Sequence, residues 1–285
     1  MKNFKRIIIW IMLSIMMQCA GLLFIDKVFF KHSSDFEITE HEAGTSVKDS
    51  SMTIPSNAED IQVSYDGKYV TYSVNNKFYL GDTNAGTINE IITDESDEVL
   101  YAEWLPDRNR ITIAEKIVNE RGKEVINIIN YDAKSNTKYQ LKEVCRYESG
   151  MEVDGIVTTT LSGVSYVSVS RNGNNSNIYR IDINENMKNL GVKIGSLGAF
   201  KIFPHKDVVL YEDQLNKQFH YYKNEKTYSI KTGTYSNLEL LAVDNNDIVY
   251  MGEVTNKKIG KVIYGNLDTD ISSWETINLD KQKDS

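Results

Sequence analysis

The sequence predicts an all-β protein built from repeated four-stranded antiparallel units behind one N-terminal apolar segment. Three observations carry this. From residue 58 onward, short β-rich runs alternate with Asn, Asp and Gly, residues that supply the positive φ of tight hairpins. Turn-forming pairs recur between first and second strands, at Asp66-Gly67, Pro106-Asp107, Ser162-Gly163, Pro204-His205 and Asp244-Asn245. They return about every 40 residues, with one longer step of about 55. Beyond the apolar segment there is no heptad pattern and no long amphipathic helix. A four-stranded unit at this period is the signature of a propeller blade, so the expectation is a five-bladed β-propeller over residues 58–280.

The first unit reads "IQVSYDGKYVTYSVNNKFYLGDTNAGTINEIIT". Its order is strand, Asp-Gly turn, strand, Asn-Asn turn, strand, Asn-Ala-Gly turn, strand. The second combines "VLYAEWLPDRNRITIAEK" with "VINIINYDAKSNTKYQL", and the third is "GIVTTTLSGVSYVSVSRNGNNSNIYRIDIN" with a weaker fourth strand near "KNLGVKI". The fourth is "AFKIFPHKDVVLYEDQLNKQFHYYKNEKTYSIK". The fifth is "LELLAVDNNDIVYMGEVTNKKIGKVIYGNL", ending in "WETINL". "MTIP" at 52–55 is expected to lend a closing strand to the last unit, and 281–285 form a polar tail.

Upstream, residues 7–25 read "IIIWIMLSIMMQCAGLLFI", 19 positions without a charge. A helix of that length covers roughly 28 Å, close to the hydrocarbon thickness of a bilayer. The basic residues of 1–6 precede it, which keeps the N-terminus cytoplasmic and places the rest outside. A cleaved signal peptide has a shorter apolar core, and a lipidated Cys19 wants a small residue where Gln18 stands. The expectation is an uncleaved single-pass signal anchor in the cell membrane, followed by a polar spacer over 26–57.

Charge excludes one class of partner. The chain carries a net −8, and beyond residue 31 there remain 27 basic against 39 acidic groups, a net of −12. Such a domain repels phosphate backbones, so nucleic acid is not expected. Cys19 and Cys145 are too far apart in sequence and setting to suggest a disulfide framework.

Motifs for chemistry are sparse. The histidines (His32, His41, His205, His220) show no zinc spacing, and "TDESDEV" at 93–99 lacks the order of a calcium loop. Neither a P-loop nor a G-x-G-x-x-G nor a G-x-S-x-G elbow occurs. No cofactor and no metal are therefore expected. Acids in or beside first strands, Glu103, Asp154 and Glu239, are the candidates for glycoside cleavage, which needs two carboxylates. For binding, the loops between units and between second and third strands gather on one rim. They offer Arg146, Tyr147, Arg171 and Tyr235, residue types favoured at interfaces.

The stretch "VSYDGKYVTYSVNNKFYLGDTNAG" resembles the propeller repeats of TolB-like proteins and of the N-terminal domain of dipeptidyl peptidase IV. Ser64, Asp66, Gly67, Lys68, Tyr72, Tyr79, Asp82 and Gly86 carry the likeness. Trp104, Pro106, Asp107, Arg110 and Asp132 carry it more loosely in the second unit. The resemblance implies blade structure rather than chemistry, because the peptidases keep their catalytic triad in a separate α/β-hydrolase domain. TolB-like propellers bind partner proteins in the envelope, so the resemblance implies an extracytoplasmic interaction module. The expected function is a protein- or glycan-binding scaffold of the cell envelope, accessory to a process such as surface-polysaccharide assembly. The alternative is a glycan-acting propeller enzyme using axial carboxylates.

Overall fold

The computed structural model describes residues 10, 12, 14, 16–18, 52–91, 97–233, 235 and 237–284. The chain divides into two compact units, Met1–Asp49 and Ser50–Ser285. In the first, the described residues between 10 and 18 are helical and exposed. The anchor and spacer expected over 7–57 lie largely outside the described residues. Among the described residues, no helix is long and apolar enough to cross a membrane.

The second unit is all-β: five four-stranded antiparallel sheets, each an up-and-down meander. Sheet 1 holds β1–β4 (Glu59–Val63, Tyr69–Val74, Lys77–Asp82, Thr87–Glu90), and sheet 2 holds β5–β8 (Glu98–Trp104, Arg110–Val118, Glu124–Asp132, Thr137–Arg146). Sheet 3 holds β9–β12 (Met151–Thr158, Ser165–Arg171, Asn174–Ile181, Met187–Asn189). Sheet 4 holds β13–β16 (Leu197–Ile202, Val209–Asp213, Gln218–Lys223, Lys226–Ile230), and sheet 5 holds β17–β20 (Leu238–Val243, Val249–Thr255, Lys258–Gly265, Glu275–Asp284). The first strands are neighbours in the order β1, β5, β9, β13, β17, which makes the fold propeller-like. One expectation is corrected: residues 52–55 form no strand, and sheet 5 takes its fourth strand from β20. Met52 instead lies over Gly81 of sheet 1, a glycine whose missing Cβ leaves room for the thioether.

Local sequence explains the hairpins. Asn75-Asn76, Asn172-Gly173, Asn224-Glu225 and Asn256-Lys257 each place two successive residues at positive φ, the backbone of a two-residue hairpin turn. The Ser-x-Asp-Gly motif is likewise structural. Asp66 Oδ1 accepts from Ser64 Oγ and the Lys68 amide, and Ser64 Oγ accepts from the Tyr69 amide. Gly67 takes the positive φ between them.

Both faces of β6, β7 and β10 are buried, which explains their unbroken apolar runs. Along β6, Ile111 and Ile113 enter the seam between sheets 1 and 2, while Ala114 enters the seam between sheets 2 and 3. Similar apolar seams join sheets 3 and 4 around Tyr166, Ile178 and Val209, and sheets 4 and 5 around Phe219, Leu240, Met251 and Ile263. Truncating one such buried Ile or Met to Ala costs about 2–5 kcal/mol.

Polar clasps reinforce the seams where the first-to-second-strand turns meet. Asn109 Nδ2 donates to Asp66 Oδ2 at 3.0 Å, and Arg108 Nη2 donates to the Thr160 carbonyl at 2.9 Å. Thr160 Oγ1 donates to the Pro204 carbonyl at 3.0 Å, and Lys206 pairs with Asp247 at 3.1 Å. Each clasp joins the turn of one sheet to the turn of the next, so the sequence period becomes a chain of contacts along one rim.

Candidate functional site

Two concavities collect the sequence-predicted residues. The first, of about 550 Å³, lies between the first strands of sheets 2, 3 and 4. Tyr101 and Glu103 of β5, Asp154 and Gly155 of β9, and Phe200 and Lys201 of β13 line it, with Pro106, Pro204 and Asn245 at the clasped rim. Strand alternation puts Tyr101 and Glu103 on one side of β5, and Tyr101 Oη donates to Glu103 Oε2 at 3.1 Å. Glu103 keeps solvent contact, yet the surrounding protein crowds it. Desolvation raises its carboxyl above the ordinary value, against the hydrogen bond from Tyr101 and the charge of Lys201. Asp154 is held differently, because its oxygens accept from Ser168 Oγ at 3.0 Å and Ser170 Oγ at 2.5 Å. Gly155 sits against Phe200, where an added Cβ would stand 3.2 Å from the ring.

The second concavity, of about 640 Å³, opens between sheets 4 and 5 at the opposite rim. Glu212 and Glu239 face it from the two sheets, and Tyr235, Asn237, Lys217, Asn256 and Lys257 surround its mouth. Burial raises the Glu212 carboxyl; the Ala199 amide opposes this, and the charge of Glu239 reinforces it. Lys261 Nζ stands 5.0 Å from the centre of the Tyr235 ring, which orients that ring by a cation–π contact.

The remaining rim candidates gather elsewhere, at the loop from sheet 2 into sheet 3. Arg146 is exposed at the end of β8, and Lys116 Nζ lies 5.1 Å from the Tyr147 ring centre. Arg171 pairs with Glu148 at 3.2 Å. Glu103 and Asp154 thus share one cavity, Glu239 and Tyr235 share another, and Arg146, Tyr147 and Arg171 form a third group. Residues missed at the sequence level are Tyr101, Phe200 and Lys201 in the first cavity and Glu212, Lys217 and Lys257 in the second. Only Tyr101 left a signal, its spacing of two from Glu103. Among the described residues, no group of three His, Cys, Asp or Glu side chains is arranged to hold a metal ion.

In sequence, no protein-family profile and no curated protein matches the chain. In structure, it is similar to Porphyromonas gingivalis dipeptidyl peptidase 4, with a TM-score of 0.54 at 11% identity. That likeness covers 81% of this chain and 40% of the peptidase. A prolyl endopeptidase gives a TM-score of 0.55 at 14% identity over 79% of this chain and 36% of that one. Pyrococcus horikoshii acylaminoacyl peptidase gives 0.50 at 12% identity over 79% and 39%. The chain therefore spans well under half the length of these peptidases, and at such identities the likeness establishes a propeller-like fold alone.

Proposed function

We propose that this chain is a membrane-anchored binding module that displays its five sheets, as the blades of a propeller, on the outside of the cell. Its ligand is a polar polymer, a glycan strand of the envelope. The observation that carries this reading is the cleft between sheets 4 and 5. There an aromatic ring, Tyr235, stands beside the carboxylates of Glu212 and Glu239 and the amides of Asn237 and Asn256. A flat apolar ring with convergent donors and acceptors suits a sugar, which offers an apolar ring face and a belt of hydroxyls. The polar lining and net charge argue against a phosphate-rich ligand.

The test is retention of the full chain on immobilised envelope polysaccharide. Tyr235→Ala and Glu239→Gln should each reduce retention, whereas equal retention of both variants would remove the cleft from the reading. The anchor rests on the charge-free run at 7–25 and the basic residues before it. An alkaline phosphatase fusion after residue 57 should be active, and an inactive fusion would reverse the orientation.

A second reading, a glycan-cleaving enzyme, draws on one observation. Glu103, raised by burial, and Asp154, fixed by two serines, line one cavity. Carboxyls in unequal surroundings are what an acid and its partner require. Release of reducing ends from polysaccharide, abolished by Glu103→Gln, would favour this reading over binding alone.

A further inference from the structure

The cleft between sheets 4 and 5 and the inner cavity between sheets 2, 3 and 4 approach each other at one point, Gly198. The inner cavity follows β13 along its length, from Gly198, the second residue of the strand, past Phe200 and Lys201 to Pro204 at the clasped rim. Glu239 holds the matching place on the adjoining first strand, β17, and belongs to the cleft. Glu212 near the end of β14 and Gln214 just beyond it face the cleft as well. Both also lie on Gly198. A Cβ added to this glycine would stand 2.6 Å from Gln214 Cγ, 2.9 Å from Glu212 Oε2 and 3.0 Å from Gln214 Nε2. Only glycine lets the two side chains settle that close to β13. The partition between cleft and inner cavity is therefore one glycine and the two side chains upon it.

That partition is soft. Gln214 is exposed on a long, rotamer-rich side chain. The Glu212 carboxylate accepts a long bond from the Ala199 amide at 3.5 Å, and the like charge of Glu239 opposes its ionised form there. The flanking walls are firm by contrast. Phe219 and Leu238 of the cleft are buried in the seam, and Gly155 of the inner cavity is backed by the Phe200 ring. Rotation of two side chains is thus the easiest way to join the two spaces, and exposed side chains rotate within nanoseconds.

We propose that cleft and inner cavity are two halves of one elongated site, which takes a linear, unbranched glycan strand past Gly198 once Glu212 and Gln214 swing aside. The inference rests on the glycan-binding reading given above. At about 640 and 550 Å³, each space alone has the size of a pocket for one small ligand. Joined, they offer Tyr235 and Asn237 in the cleft, Glu212 and Gln214 at the crossing, and Phe200 and Lys201 beyond it. Aromatic rings at both ends with polar groups between them suit the apolar faces and hydroxyl belts of successive sugars. A branch point does not fit a passage floored by a bare glycine.

The test is titration calorimetry of the full chain in detergent. The probe is envelope polysaccharide, partially hydrolysed and separated by size into disaccharides and long strands. Wild type should prefer long strands at least about tenfold, because contacts in the second half add to those in the first. Gly198→Val narrows the passage and should abolish most of that preference, with circular dichroism confirming the β signal. Lys201→Met leaves the partition untouched and should also reduce the ratio of the two affinities. It decides the matter where Gly198→Val unfolds or binds neither fraction. A wild type that binds neither fraction overturns the glycan reading and this inference with it. Binding of both fractions that Tyr235→Ala weakens, with a long-strand ratio that Lys201→Met leaves intact, keeps the glycan reading and overturns the joined site.

Discussion

Trp104 of sheet 2 donates its indole N–H to Thr71 Oγ1 of sheet 1 at 3.1 Å, and both side chains are buried in the seam between them. Tyr69 stacks on the same indole, with ring centres 6.5 Å apart. Thr71→Val keeps the shape and strands the indole N–H, so it should cost about 1–3 kcal/mol. Trp104→Ala removes the ring as well and should cost about 3–5 kcal/mol. Urea unfolding of the two single variants and the double variant measures the coupling. Additive losses would mean that the hydrogen bond contributes nothing across the seam.

Asp66 ties the rim together, and its titration reports on that role. Burial by itself would raise its carboxyl, but hydrogen bonds from Asn109, Lys68 and Ser64 more than offset this and hold it at about 2. The folded value lies below the ordinary 3.8. The contribution is therefore present above pH 3.8 and is lost as the pH falls towards 2. Screening at the rim keeps it on the order of 1 kcal/mol. Asp66→Asn should be less stable than wild type at pH 6, and the gap should close as the pH approaches 2. A gap that is constant with pH would assign the loss to packing rather than to charge.

The fold was legible because its period and its turns are written in residue type. Asn and Gly mark the positive-φ positions, and β-branched residues fill the strands between them. Trp104 is readable as a seam residue from its place at the end of a first strand. The clasps were not legible, because Arg108 finds Thr160 across 52 positions, and a side chain's reach leaves no periodic trace. The grouping of the acids was hidden for a different reason. Glu103, Asp154 and Glu239 all belong to first strands, but at different heights. Glu103 is one residue from the end of β5, Asp154 is in the middle of β9, and Glu239 is the second residue of β17. Register along the strand, invisible in the repeat, sends Glu239 to the opposite rim, where Tyr235 of the preceding loop awaits it.

Glu103 should show the opposite pH behaviour from Asp66. Desolvation raises its folded value above the ordinary 4.5, so ionisation disfavours the folded state. Its contribution is fully present below 4.5 and is lost as the pH rises through the raised value. Glu103→Gln should therefore match wild type in melting temperature at pH 4 and exceed it slightly at pH 7.5. Solvent contact at this position keeps the difference small. A variant less stable than wild type at pH 7.5 would show that Tyr101 and Lys201 outweigh desolvation.

The carboxylate of Glu115 is only 1% exposed, inside sheet 2. It accepts from Asn127 Nδ2 of the adjacent strand at 2.8 Å and from Lys138 Nζ, two strands away, at 3.0 Å, so both share the neutralisation of one buried charge. Lys138 itself reaches the surface, so its loss leaves the charge behind rather than a cavity. Lys138→Met should thus cost about 3 kcal/mol, at the lower end for a broken buried pair because Asn127 remains. Adding Glu115→Gln removes the stranded charge and should recover more than half of the loss. Urea denaturation of the single and double variants decides between two accounts. Recovery in the double variant assigns the cost to the uncompensated carboxylate, whereas a further loss assigns it to the packing of the Lys138 stem.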